Sequence, residues 1–219
     1  MGRQRWWAEA VSLGAFVALT AGLAVGGPLW SLDLTVDRWA REHRPPVAEA
    51  VAAVLNRLGQ GGPLLVLVLA GGVWLAWRLR TPRPLGYVLV AVLLVVPPVL
   101  AVKALTARGA PSSRLPPEQT VRLLGPLPPG EYAAGYPSGH VVNTVVWYGV
   151  LLLLVTALLR AYGRGDPPVA LSRVVRIGPP VIVLATSTYL SYHWFTDGLA
   201  GLAYGVFVDQ LLRRVRWLA

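Results

Sequence analysis

Two short motifs carry the chemistry available to this chain: Pro137-Ser138-Gly139-His140 and His193-Trp194-Phe195-Thr196-Asp197. Each sits at the end of an apolar segment, where ionisable residues are costly to place and count as functional candidates. Cleaving a phosphoester needs a nucleophile, a group that orients it, an acid for the leaving oxygen, and donors around the developing negative charge. His193 can attack phosphorus through Nε2 if Asp197, four residues on and on the same helical face, holds its Nδ1 proton. His140 is then free to protonate the leaving alkoxide. The Ser138 hydroxyl and the amides near Gly139, at the opening of a helix, can bind phosphate oxygens. Taken singly, Ser-Gly-His is an ordinary helix start, and a His–Asp pair at i,i+4 commonly just stabilises a helix. Their occurrence together points to phosphoryl chemistry at a membrane surface. A metal held by His140, His193 and Asp197 is compatible with the donor types, but no metal or cofactor is implied.

These residues need an apolar scaffold. Of the 219 residues 55% are hydrophobic and only 14% charged, with a positive mean hydropathy, which excludes an ordinary soluble globule. The absence of cysteine excludes disulfides, cysteine-ligated metals and thiol nucleophiles. Six apolar segments, at about 10–27, 61–77, 85–102, 141–159, 177–192 and 198–212, are predicted to be membrane-spanning helices, because a chain in lipid must satisfy its backbone groups internally. The first is too long for a signal-peptide core and reads as an uncleaved helix. Pro97-Pro98 should kink the third segment, and Pro179-Pro180 should bend or delay the start of the fifth. Between Asp33 and Leu58, the residues Val36, Trp39, Ala40, Val47, Val51, Val54 and Leu55 are interleaved with charges. This predicts one or two amphipathic helices along the outer membrane surface, divided at Pro45-Pro46. The stretch 111–130, rich in Pro, Ser and Gly, predicts an irregular loop over the site. With no internal repeat and no second soluble unit, the expectation is one all-α, six-helix membrane domain over residues 1–219.

Charge orients that bundle. The net charge of +10 could suggest nucleic acid, but the basic residues fall between apolar runs, where they anchor topology and meet anionic headgroups. No nucleic-acid partner is expected. Arg3 and Arg5, then Arg78, Arg80 and Arg83, then Arg160, Arg164, Arg173 and Arg176, and finally Arg213, Arg214 and Arg216 alternate onto one side and hold 12 of the 20 basic residues. That side is expected to be cytoplasmic, with both termini, in a bacterial-type plasma membrane. Lys103, Ser138, His140, His193 and Asp197 then converge on the opposite, extracytoplasmic face. Asn143, one turn below His140, is expected to bond within the bundle. Tyr192 and Trp194 are expected to anchor the interface, and Glu9 and Asp209 to pair between helices or snorkel. Nothing in the pattern specifies an oligomeric state.

Pro137-Ser138-Gly139-His140 and His193-x-x-x-Asp197 resemble the second and third motifs of the type 2 phosphatidic acid phosphatase (PAP2) superfamily, and Lys103 followed by Pro111 is similar to a remnant of its first, K-x6-R-P. The resemblance covers nearly the whole chain. It implies that His193 is the nucleophile, Asp197 its partner and His140 the acid, with Lys103, Ser138 and Gly139 binding phosphate. Two arginines of the family pattern are missing. The residue before the proline of the first motif is Ala110, and the residue six before the nucleophile is Ser187, preceded by Thr186. Arg108 and Arg114 are the candidate replacements. Three functions follow as alternatives. One is hydrolysis of a phosphate ester or pyrophosphate on a lipid of phosphatidyl or polyprenyl type. Another is headgroup transfer on a singly charged phosphodiester, as in the sphingomyelin synthases, which look similar around the same histidines and lack the same arginines. The last is a catalytically silent lipid-binding protein. In each the partners are a lipid phosphate and the bilayer.

Overall fold

The computed structural model describes residues 6–125 and 127–215. Arg3, Arg5 and Arg216, three of the expected orientation anchors, lie outside the described residues. Among those described, all regular structure is helical. In chain order the helices are α1 (Trp7–Val25), α2 (Pro28–Glu42), α3 (Pro46–Asn56), α4 (Gly61–Leu79), α5 (Arg83–Thr106), the single turn α6 (Pro117–Thr120), α7 (Gly139–Ala161), α8 (Val169–Tyr189) and α9 (Phe195–Arg214). A 3-10 turn, Arg57–Gly59, joins α3 to α4.

Among the described residues, five stretches are long and apolar enough to cross a membrane: α1, the run Pro46–Leu79, α5, α7 and α8. The segment expected at 198–212 is helical within α9 but is not among them, because Asp197, Asp209 and Gln210 dilute its apolar residues. It packs instead against α1 and α7. Half of the α7 window is buried, against 17–28% for the other four, so α7 is the central helix. Its residues Val142, Val146, Trp147, Val150 and Leu154 form the core with Leu64, Val68 and Leu75 of α4, Tyr87, Val88, Ala91 and Val95 of α5, and Val208 and Leu212 of α9. Large apolar side chains such as Leu67, Trp74, Leu89, Leu93, Leu100, Val174 and Val181 remain exposed. An apolar exterior over apolar-enough helices is what lipid requires of a spanning bundle.

One expectation is corrected at the proline segments. Pro179-Pro180 does not delay α8, which starts at Val169, so Arg173 and Arg176 lie in the helix rather than in a loop. The helix carries Arg176 because its guanidinium finds a carboxylate: Nη1 donates to Asp209 Oδ1 at 3.1 Å and Oδ2 at 3.2 Å, and Arg213 pairs with the same residue. Glu9 of α1 pairs with Arg214 in the same way. Across Pro97-Pro98, α5 also continues unbroken. Pro98 has no N–H to give the carbonyl of Leu94, one turn back, and the Tyr204 hydroxyl of α9 donates to that oxygen at 2.6 Å instead.

Helices α2 and α3 do divide at Pro45-Pro46. Their orientation follows from which residues are buried. In α2 the buried side is Asp33, Asp37 and Ala40, and in α3 it is Ala52 and Asn56. Leu32, Trp39, Val47, Val51 and Val54 are exposed. Several large apolar side chains therefore point away from the bundle, where lipid would cover them. Asp33, Asp37 and Asn56 pack inward, while the charges Arg38, Arg41, Glu42 and Glu49 stay exposed. That burial brings Asp33 to the His193–Asp197 motif.

Candidate active site

The site lies where the N-termini of α7 and α9 meet the C-terminal end of α5. Ser138 is the N-cap of α7: its extended backbone turns the chain into the helix, and its Oγ accepts from the Val141 amide at 3.5 Å. With Ser138 so engaged, the Gly139 and His140 amides are the open donors of the first turn. Ser138 N–H donates to Asp197 O at 2.9 Å, which ties the two motifs together through the backbone. Gly201 permits this approach, since a Cβ there would stand 2.6 Å from Ser138 O.

His193 and Asp197 are not one turn apart on a helix, as their spacing predicts. Ser191 has a φ of +57°, and Trp194 is extended as the N-cap of α9, so His193 precedes the helix and Asp197 occupies its third position. Asp197 Oδ2 accepts from the Trp194 amide at 3.0 Å, and His193 Nδ1 stands 3.6 Å from the same oxygen. That separation exceeds a hydrogen bond, and Nδ1 has no other partner. Such contacts are often long before substrate binds. The imidazole of His140 faces that of His193 with centroids 5.9 Å apart and planes at 63°. A cavity of about 330 Å³ opens over both rings, lined also by Ala110, Ser112, Ser113, Glu131, Tyr132 and Tyr192. Lys103, in the last turn of α5, does not line the cavity but lies beside the start of α7: a Cβ on Gly139 would lie 3.9 Å from its Cε, and its Nζ donates to Ala134 O.

The two candidate replacement arginines have different fates. Arg114 is exposed in the loop and does not line the cavity. Arg108 is wholly buried, and four of its five N–H donors are engaged within the protein. Nε donates to Val121 O at 2.9 Å, Nη1 to Thr196 Oγ1 at 2.9 Å and Asp197 Oδ1 at 2.5 Å, and Nη2 to Asp33 Oδ2 at 2.6 Å. Burial works against the charge on Arg108, but Asp197 and Asp33 more than offset it and hold its pKa above the ordinary value. Burial, reinforced by the negative charge of Asp197, raises the pKa of Asp33 despite the opposing Arg108. Ala110 forms part of the cavity wall. Ser187 is fully buried in α8, and its Oγ donates to Leu184 O at 3.3 Å.

Trp194 is not an interface anchor. It is 1% exposed, its Nε1 donates to Gly109 O at 3.0 Å, and Arg108 lies over its ring. Tyr192, by contrast, is half-exposed at the cavity rim. Asn143 bonds within the bundle, accepting from Trp147 Nε1 at 3.0 Å. Sequence reasoning missed Asp33, Thr196 and Glu131. For Asp33 a signal existed: Asp33, Asp37 and Ala40 recur at helical spacing on the side of α2 opposite its large apolar residues, but such a face reads equally as solvated.

A helical membrane bundle with a pair of histidines on one cavity and a carboxylate behind one of them defines the class. Residues 64–219 match the model of the PAP2 superfamily, and the chain belongs to that superfamily as an integral membrane member. Among solved structures it is similar to the crystal structure of the first transmembrane PAP2-type phosphatidylglycerolphosphate phosphatase from Bacillus subtilis. The match has a TM-score of 0.72 and 22% identity and covers 95% of each chain. At that identity the likeness is one of fold. No curated protein matches in sequence.

Proposed function

We propose that the protein is a lipid phosphatase that hydrolyses a phosphate ester or pyrophosphate at the membrane surface through a phosphohistidine on His193. The carrying observation is the placement of His193 and His140 on one 330 Å³ cavity with Asp197 directly behind His193. His193 Nε2 attacks phosphorus, and the bond from phosphorus to the leaving oxygen breaks as His140 supplies its proton. Asp197 stabilises the imidazolium that forms. Water, deprotonated by His140, then releases phosphate from His193. The Gly139 and His140 amides and Lys103 are the donors for the developing charge. The same role was expected of the Ser138 hydroxyl, which here caps α7, and of Arg108, whose donors face two carboxylates. We take residues 1–219 as one domain, with both termini cytoplasmic and the cavity extracytoplasmic. The lipid character of the substrate is supported by the apolar faces of α2 and α3 beside the site.

One observation favours a second reading, headgroup transfer on a phosphodiester: the cavity wall carries Glu131 and Ala110, and no arginine lines it among the described residues. Assay of the purified protein on lipid monophosphates, pyrophosphates and phosphodiesters separates the two. The phosphatase reading expects phosphate release from the first two groups. Turnover confined to diesters, with an alcohol as acceptor, would replace it with the transferase, and no turnover of any would leave a binding protein.

The missing arginines provide a further test. Ala110→Arg places a guanidinium on the cavity wall and should raise monoesterase kcat/KM by about 10- to 100-fold, the worth of one charge-assisted contact. Ser187→Arg buries an unpaired charge in α8 and should instead lower stability by about 3–5 kcal/mol. Thermal unfolding beside the assay distinguishes the variants. Equal behaviour of the two would contradict the placement of these positions.

A further inference from the structure

Behind His193, four side chains close a set of hydrogen bonds with no access to solvent: Asp33, Arg108, Thr196 and Asp197 are each 0% exposed. Asp33 comes from α2, far from the catalytic motifs in sequence. Its Oδ1 accepts from the Thr196 amide at 2.9 Å and its Oδ2 from the Thr196 hydroxyl at 2.6 Å, so it fixes the first turn of α9. Its Oδ2 also holds Nη2 of Arg108 at 2.6 Å. The other guanidinium nitrogen, Nη1, goes to Asp197 Oδ1.

This division matters because an arginine facing one carboxylate takes both of its oxygens in a fork. A fork on Asp197 would bring the guanidinium onto Oδ2, which already accepts from the Trp194 amide. Both lone pairs of that oxygen would then be filled, leaving none for the imidazole. Here Asp197 Oδ2 is left to the Trp194 amide and to His193 Nδ1. We propose that Asp33 is a positioning residue for the reaction: by engaging Nη2 of Arg108 it prevents the fork on Asp197 and keeps Oδ2 facing His193. The inference rests on His193 being the nucleophile. Arg108 thereby acts on the reaction through Asp197 and not by touching phosphate.

The test uses the full chain in detergent with Asp33→Asn. The amide is nearly isosteric, but neutral, so Arg108 should turn both nitrogens to Asp197. The expected result is a fall in kcat of about 10- to 100-fold with KM changed less than about twofold, the size of effect that a small misplacement of a reacting group produces. An independent readout is the nitrogen NMR spectrum of histidine-labelled protein. The chain has 3 histidines, so His193 is assigned from His43→Gln and His140→Gln. The native enzyme should show His193 with its proton on Nδ1, and Asp33→Asn should shift it toward Nε2. If Asp33→Asn does not fold, Asp33→Glu carries the same readouts, with a smaller expected loss in kcat of about 3- to 10-fold. A folded variant with native kcat and native His193 signals overturns the proposal. So does a drop in thermal stability that moves neither readout. If the native protein turns over no lipid phosphate, the proposed function fails, and the His193 signals alone still decide the role of Asp33.

Discussion

His193→Ala should abolish turnover, with a loss in kcat on the order of 10⁴-fold or more, while the protein remains folded. The size follows from the role: removing a nucleophile that acts with an orienting group and an acid costs nearly as much as removing all of them. Folding should survive because the His193 side chain has little to hold in place. Its Nδ1 has no hydrogen-bond partner, and the local structure is fixed instead by the Trp194 N-cap, the bond from Ser138 N–H to Asp197 O and the Trp194 Nε1 bond to Gly109 O. Substrate turnover and thermal unfolding measured on the same preparation check both halves. Retained activity would remove His193 from the chemistry. Lost activity with a collapsed fold would say only that the residue is structural.

Arg108→Ala should have the opposite signature, a failure of stability first. The substitution removes the single cation between the buried carboxylates Asp33 and Asp197, and it also frees the carbonyl of Val121 and the hydroxyl of Thr196. Breaking a buried ion pair from one side costs about 3–5 kcal/mol, and here two carboxylates are orphaned. A domain has only about 5–15 kcal/mol in total, so the variant should express poorly or unfold at markedly lower temperature. Replacing all three charged groups, as Asp33→Asn, Arg108→Met and Asp197→Asn together, should recover much of that stability without recovering activity. A single Arg108→Ala variant as stable as the native protein would contradict the buried array.

The physical reasons for what the sequence did and did not reveal differ from residue to residue. Membrane segments are legible because lipid leaves the backbone no alternative to a helix, and the motifs Ser138-Gly139-His140 and His193/Asp197 are legible because their donor types suit one reaction. The helical face assumed for His193 and Asp197 was wrong, because spacing alone cannot show that Trp194 is extended and that α9 begins after the histidine. Arg108 was expected to bind phosphate, but it lies buried between two carboxylates, and nothing in the sequence near Arg108 announces a carboxylate 75 positions earlier. Asp33 looked solvated since an amphipathic helix on a membrane normally turns its charges to water. Here the protein interior takes Asp33 and Asp37, while Arg38, Arg41 and Glu42 of the same helix stay exposed.

The central claim, a covalent phosphohistidine on His193, is tested most directly by rapid quench. Native protein is mixed with a lipid substrate labelled in its transferred phosphate, stopped under alkaline conditions that preserve phosphoramidates, digested and analysed by mass spectrometry. The account predicts labelled phosphate on the His193 imidazole at early times, absent from His193→Ala and prolonged when His140 is replaced. Turnover of the same substrate with no label on His193 at any time would contradict it.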